Sequence, residues 1–445
     1  MSTETKSAPT SRFSDLKKMF GGGQSNARQF GILFSLIAIV LLFQWLTGGK
    51  TLSPGNLINL VNQYSYILIL AIGMVMVIIA GHIDLSVGSV AAFTGIIVAK
   101  AMEDWNLSWP LAILLGLVVG VLIGAWQGYW VAYIGVPAFI VTLAGMLIFR
   151  GGNQVIGNAA TVPVPTEYTF IGAGYLPEVG PITGFNNLTL LLGLLLVAAI
   201  IWSEFRARRV QAAMGSERAP LWVSITKIVL LSAVVIYATT LFAGGRVGTS
   251  FPVSGIILGV LVLFYAFVTR NTIFGRHVYA VGGNKLAAEL SGVKSRRVNF
   301  LVMMNMSILA ALAGMIFVAR SAASGPQDGL SWELDAIAAV FIGGAAVSGG
   351  IGTVVGSIIG GLVMAVLNNG LQLLGVGSDW VQIIKGMVLL VAVGVDVWNK
   401  SQGRPSILGF LTKNRKQAEF PPEPPQVVPV AGTPDTTRPA DMPKP

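Results

Sequence analysis

Cysteine is absent from the 445 residues, and histidine occurs only at His82 and His277. Without thiols there is no disulfide, no thiolate metal site and no cysteine nucleophile. Two imidazoles argue against a multi-histidine metal site. Charge is scarce as well: Asp, Glu, Lys and Arg make up 11% of the chain, against about 25% in soluble domains. No Ser-His-Asp pattern or paired-carboxylate signal stands out. GGKT (48–51) looks like the end of a phosphate loop, but Gln44 stands where that pattern wants a glycine, and no strand precedes it. No catalytic residue, metal or bound cofactor is therefore expected on this chain.

What fills the space is apolar. Hydrophobic residues are 54%, mean hydropathy is +0.74 and glycines number 54. A spanning helix needs about 20 apolar residues, and close helix approach in lipid favours small ones. The expectation is an all-α, polytopic membrane protein. Twelve apolar segments can be marked: 30–47, 57–80, 84–100, 110–134, 138–150, 187–203, 221–243, 254–269, 298–320, 334–350, 352–372 and 380–397. Those at 84–100, 138–150 and 334–350 are short or glycine-interrupted and read as possible half-helices, which gives 10–12 spans.

Basic residues give the orientation. With the amino terminus in the cytoplasm, the inner regions are 1–29, 204–220, 270–297 and 398–416, and they hold 20 Lys and Arg. The outer regions and their edges hold Lys50, Lys100, Arg150, Arg246 and Arg320. That asymmetry predicts both termini inside. Residues 1–29 are polar, with Glu4 and Asp15, and read as a cytoplasmic tail rather than a cleaved signal. Residues 30–398 form the membrane domain. Residues 399–445 form a second cytoplasmic tail; from about 420 it is proline-rich and reads as disordered.

An internal repeat runs through the membrane domain. ILILAIGMVMV (67–77) matches ILAALAGMIFV (308–318), GLVVGVLIG (116–124) matches GTVVGSIIG (352–360), and AGML (144–147) matches KGMV (385–388). The first copy follows an outer loop and the second a basic inner loop, so the copies run in opposite directions, as in many transporters. Glycines recur every four residues at 116, 120, 124 and 128, and again at 352, 356 and 360. Each set makes a smooth stripe for helix packing.

Polar groups at membrane depth need a reason, because an ionised side chain there costs roughly 2.5–3.5 kcal/mol on insertion scales. In GHIDLSVGS (81–89), Asp84 with Ser86 either caps a helix beginning at Leu85 or lines a pathway. Its repeat-mate is SWELDAIAAV, with Glu333 and Asp335. Asn59, Asn62, Asn305, Asn368 and Asn369 are further candidates for the pathway or its supports, with Gln63 and Thr142 beside them.

The most distinctive polar stretch is 278–297, VYAVGGNKLAAELSGVKSRR. After Gly282 and Gly283, Asn284 is a good N-cap and Gly292 a good C-terminal stop. Leu286 and Leu290 lie four apart on one face, with the small Ala287 and Ala288 between, and Glu289 and Ser291 close the set. Isolated helices this short do not hold their shape in water. The helix either packs on its own protein or docks in a partner's groove.

GHIDLSVGS, GRHVYAVGGNKLAAELSGV (275–293), ELDAIAAVFIGG (333–344) and VLNNGLQLLGV (366–376) resemble the permease subunits of bacterial monosaccharide ABC importers, most closely the xylose- and ribose-type branch. The likeness runs from about Leu57 to Trp398. It implies a type II importer fold in the bacterial inner membrane and two permease copies around a central path. It also implies an extracytoplasmic sugar-binding protein, which would dock on 151–186 and 321–333. A separate ATPase subunit would bind ATP and Mg, and residues 282–292 would be the coupling helix that contacts it. Two departures are visible. His82 stands where the family usually has glycine, and 187–253 holds an additional pair of spans with the basic loop EFRARRVQAAMGSER. The insertion favours a xylose or multiple-sugar system. Branched-chain amino-acid permeases, and a secondary transporter or channel, are the alternatives.

Overall fold

The computed structural model describes residues 24–401 except 182, 215–219 and 246–247. Most of the amino-terminal tail, part of the basic loop near 215 and the carboxy-terminal tail from 402 lie outside the described residues. Among the described residues fifteen α-helices follow one another: α1 (Gln24–Leu46), α2 (Pro54–Ile79), α3 (Val87–Asp104), α4 (Trp109–Tyr129), α5 (Ala138–Ile156), α6 (Phe170–Ala173), α7 (Asn187–Ala213), α8 (Leu221–Ala243), α9 (Val253–Asn271), α10 (Ile273–Gly283), α11 (Lys285–Leu290), α12 (Ser295–Ser321), α13 (Trp332–Ile342), α14 (Val354–Leu373) and α15 (Ser378–Ser401). A π-helical turn, Trp130–Ile134, continues α4.

Each of the twelve apolar segments carries a helix, though in 334–350 it stops at Ile342. Eight helices among the described residues are long and apolar enough to cross a bilayer: α2, α4 with its π turn, α5, α7, α8, α9, α12 and α14. Two of the three expected half-helices are continuous, since α3 has 18 residues and α5 has 19. Only α13 is short, with 11 residues. Gly343 and Gly344 end it, and irregular chain runs on to Thr353, whose hydroxyl accepts from the Gly356 amide to start α14.

The core is built on α2 and α12. Of their apolar stretches 83% and 67% are buried. They lie antiparallel: Tyr66 meets Phe317 edge to face, Gly73 abuts Met306 and Leu309, and Asn305 reaches Met76. These two helices carry the first matched pair of segments, so the repeat is inverted. The helix starts agree: α2 to α5 begin at 54, 87, 109 and 138, and α12 to α15 at 295, 332, 354 and 378.

Glycine decides how closely helices approach. A Cβ on Gly124 would sit 2.5 Å from the Met304 Cα, and one on Gly120 would sit 2.7 Å from the Ala311 Cβ. The first stripe therefore lies directly on α12. In the second, Cβ atoms on Gly356 and Gly360 would fall 2.4 Å from the Gly343 carbonyl and 2.2 Å from that of Ala339. That stripe lies on α13 instead.

The additional pair of spans is peripheral. Only 11% of the apolar stretch of α7, and of α8, is buried. An internal clip joins them: Lys227 meets Glu204 at 2.8 Å, and the Ser224 hydroxyl donates to Glu204 at 2.8 Å. At the end of the bundle away from the α10–α11 loop, Val162–Pro163 (β1) pairs antiparallel with Ala323–Ser324 (β2), the one sheet among the described residues.

Candidate coupling surface and membrane-depth polar sites

The polar stretch folds as two helices. Thr272 caps α10 by accepting from the Gly275 amide at 3.2 Å. Asn284 caps α11 by accepting from the Ala287 amide at 3.0 Å. Gly292, at φ +86°, ends the turn, with its amide donating to the Glu289 carbonyl and that of Val293 to Ala288. The Glu289 carboxylate accepts from the Ser295 hydroxyl, which fixes α11 to the first turn of α12, and the Ser291 hydroxyl donates to the Ala287 carbonyl.

Leu286 and Leu290 project from this fixed turn, 68% and 83% exposed. Ala287 is exposed beside them. Two of the expected docking residues are used differently. Ala288 is 5% exposed and packs inward, so it anchors α11 rather than facing a partner. Gly282 is an internal contact as well: a Cβ there would fall 1.6 Å from the Ile79 carbonyl oxygen, so α10 can meet the end of α2 only through glycine. Gly283 lies against Gly350. The preceding helix α10 was not anticipated, although Thr272 ahead of Ile273 is a legible cap signal.

His82 lies just past α2, at the base of this loop, against Asn299. Burial lowers the imidazole's affinity for a proton, and nearby Lys285 adds to this while the Asn299 contact opposes it. The Nε2 atom is buried without a hydrogen-bond partner.

The loops after α2 and α12 both double back into the bundle, so that α3 and α13 start deep inside. The two starts meet there: a Cβ on Gly88 would lie 2.2 Å from the Gly329 carbonyl, and one on Gly329 would lie 2.1 Å from that of Gly88. Irregular backbone at such depth is tolerated where protein covers it. Ala322 (φ +55°) and Ser331 (φ +64°) bracket the second loop in left-handed conformations that non-glycine residues seldom adopt.

Asp84 is 1% exposed, and its carboxylate accepts from the Ser86 amide at 2.8 Å and the Ser86 hydroxyl at 2.7 Å. The helix starts at Val87 rather than Leu85, so Asp84 closes the turn ahead of it instead of capping it. Gln127 of α4 donates to Ser86 at 2.8 Å, and Thr142 of α5 accepts from the Leu85 amide at 3.1 Å. Asp84 and Ser86 thus bind helices together from a buried position.

The other candidates scatter. Asn62 accepts from Ser254 at 3.1 Å and donates to the Tyr175 hydroxyl at 3.3 Å. Asn305 accepts from Tyr265 at 2.5 Å and borders a shallow pocket with Phe274, Leu301, Met304 and Ile308. Asn369 forms a reciprocal amide pair with Asn56, at 2.8 and 3.0 Å. Asn368 reaches Tyr64, and Asn59 is exposed. Asp335 pairs with Lys385 of α15 at 2.5 Å, while Glu333 lies 4.0 Å from Arg150 of α5. The first turn of α13 is therefore held by a cation from each repeat. Asn56, Arg150 and Lys385 were missed as partners because nothing in sequence spacing joins residues on separate helices 50 or more positions apart.

Antiparallel repeats, helices broken at depth and an exposed capped helix at one end describe a multi-pass membrane transporter subunit. A family model described as the branched-chain amino acid transport system / permease component matches residues 56–393. The xylose transport system permease protein of Haemophilus influenzae is 40% identical over 86% of this chain and 100% of its own length. That of Escherichia coli K12 is 40% identical over 87% of this chain and 95% of its own. The ribose import permease protein of E. coli K12 is 35% identical over 83% of this chain and 94% of its own. No solved structure matches. The chain belongs to this family of transport permeases and stands on its monosaccharide ABC importer branch, not on the amino-acid branch that the family's description names.

Proposed function

We propose that this permease moves xylose or a related monosaccharide across the bacterial inner membrane as one of two copies around a central path. A separate ABC ATPase holding ATP and Mg drives it, and an extracytoplasmic sugar-binding protein loads it. Both termini and the 270–297 loop face the cytoplasm, in keeping with the clustering of Lys and Arg there. The binding protein docks at the opposite end, on the loops within 151–186 and 321–333.

The observation that carries this reading is α11. Its caps, its anchor through Ala288 and its tie to Ser295 hold it in shape, yet Leu286 and Leu290 are left uncovered. A helix face presented in this way fits an apolar groove on a partner. Asn284, Leu286, Ala287, Leu290 and Gly292 form the contact, with Gly282, Gly283, Ala288, Glu289 and Ser291 as its supports. Asp84, Ser86, Asn62, Asn305, Asp335 and Asn369 support the path from within, and Asn59 and Asn368 are its candidate lining.

The test is uptake of labelled xylose and a panel of monosaccharides into proteoliposomes holding this chain with its ATPase, binding protein and ATP. Uptake that needs every component, and is lost in the double variant Leu286→Asp/Leu290→Asp, is the expected result. Uptake by this chain alone without ATP overturns it in favour of a secondary carrier or channel.

A further inference from the structure

The coupling loop has a second physical connection besides α11. The Tyr279 hydroxyl on α10 donates to the Gly352 carbonyl at 2.7 Å. Gly352 lies in the irregular segment between α13 and α14. Glycine lets the two backbones close up at the same place. The Gly350 amide donates to the Ile79 carbonyl at 2.9 Å, and Gly282 packs on that same carbonyl. Gly344, Gly349 and Gly350 have φ of +90°, +79° and +72°, so the segment turns sharply where few other residues could follow.

The segment leads into a pair of helices fixed to each other. The second glycine stripe locks α14 onto α13, with backbone meeting backbone at Gly343 and Gly356. At its far end α13 is held by the ion pairs to Lys385 and Arg150. A push on the Gly349–Gly352 segment therefore reaches α13 directly, with the charged first turn as its pivot.

We propose that Tyr279 is the positioning residue that carries movement of the coupling loop into α13, through its hydroxyl and the Gly352 carbonyl. The inference rests on α11 being the ATPase contact. It goes further in assigning the route to one hydrogen bond and one half-helix. Tyr279 touches no sugar or nucleotide; it acts through the backbone after α13.

The experiment uses the reconstituted complex with its ATPase and binding protein, and compares wild type with Tyr279→Phe. The variant keeps the ring and removes only the donor. Three quantities are read: ATP hydrolysed, labelled sugar moved per ATP, and thermal stability of the purified permease. Expected is ATPase activity within about twofold of wild type, a fall in stability no larger than the loss of one hydrogen bond gives, and sugar moved per ATP lower by about fivefold, the factor that one neutral hydrogen bond commonly carries. Spin labels at Gly283 and Leu334 should show an ATP-dependent change in separation that is smaller in Tyr279→Phe. An unchanged ratio of sugar to ATP overturns the proposal while leaving the importer reading intact. Parallel loss of ATPase activity, uptake and thermal stability also overturns it, because that pattern marks a contact needed only for folding. ATP-independent uptake by wild type overturns the importer reading itself.

Discussion

In the first repeat α3 runs 18 residues without a break, and its glycine-striped neighbour α4 lies along α12 of the other repeat. In the second, α13 stops after 11 residues, and its glycine-striped neighbour α14 lies on α13 itself. The same spacing of glycines thus joins one repeat to its mate and binds the other internally. A helix locked across the repeat boundary is scaffold. A helix pair locked to each other, with irregular glycine-rich chain between them, is the arrangement that the Tyr279 proposal calls on. The polar sites follow suit: Asp84 is satisfied by its neighbours Ser86 and, beyond it, Gln127, whereas Glu333 and Asp335 reach across to cations on α5 and α15.

Breaking the ion pair on α13 should cost most. Lys385→Met leaves the Asp335 carboxylate unpaired among apolar helices, and the expected loss is about 3–5 kcal/mol, read as thermal unfolding in detergent. Adding Asp335→Asn should recover much of it. Next comes the scaffold stripe. Gly124→Ala must push α4 off α12, at about 1–3 kcal/mol, with stability and uptake falling together. Gly360→Ala strains the α13–α14 contact by a comparable amount and should lower uptake more than stability. Ser86→Ala removes a donor to Asp84 and an acceptor for Gln127, and about 1–3 kcal/mol is expected from the groups left unsatisfied.

The smallest change in stability belongs to the exposed face of α11. Leu286→Asp/Leu290→Asp should alter stability by no more than about 0.5 kcal/mol, as at other exposed positions, while abolishing ATP-driven uptake. His82 gives a directional pH test. Its folded proton affinity lies below the unfolded one, so the unfolded chain binds the extra proton first. Stability from the neutral ring is full above the unfolded value near 6.5 and is lost as pH falls through the folded value. Between pH 7.5 and 5.5 wild type should therefore lose more stability than His82→Gly, measured by thermal unfolding.

Much of this was legible in order of residues. The caps at Asn284 and Gly292 are local, so α11 could be placed to within a residue or so. The repeat was visible because glycine and methionine recur in register, and apolar runs long enough to span a bilayer leave little alternative to helix. Half-helices were harder to judge. The segments at 84–100 and 138–150 looked short or glycine-interrupted, yet helical backbone hydrogen bonding continues past Lys100 and Arg150. Facing was harder still: Ala287 and Ala288 are identical as letters, and only one packs inward.

The sequence by itself determined what local chemistry can state: that the chain is helical and membrane-spanning, which way its repeats run, where its short helix is capped, and which family it resembles. Tertiary structure alone decided which backbone each glycine stripe meets, that Gly88 and Gly329 touch inside the bundle, that Asp335 finds Lys385, and that Tyr279 reaches Gly352. The division has a physical cause. Capping and hydropathy act within a turn or along one segment, while a hydrogen bond or a close backbone approach between distant segments exists only once the whole chain has fixed their distance.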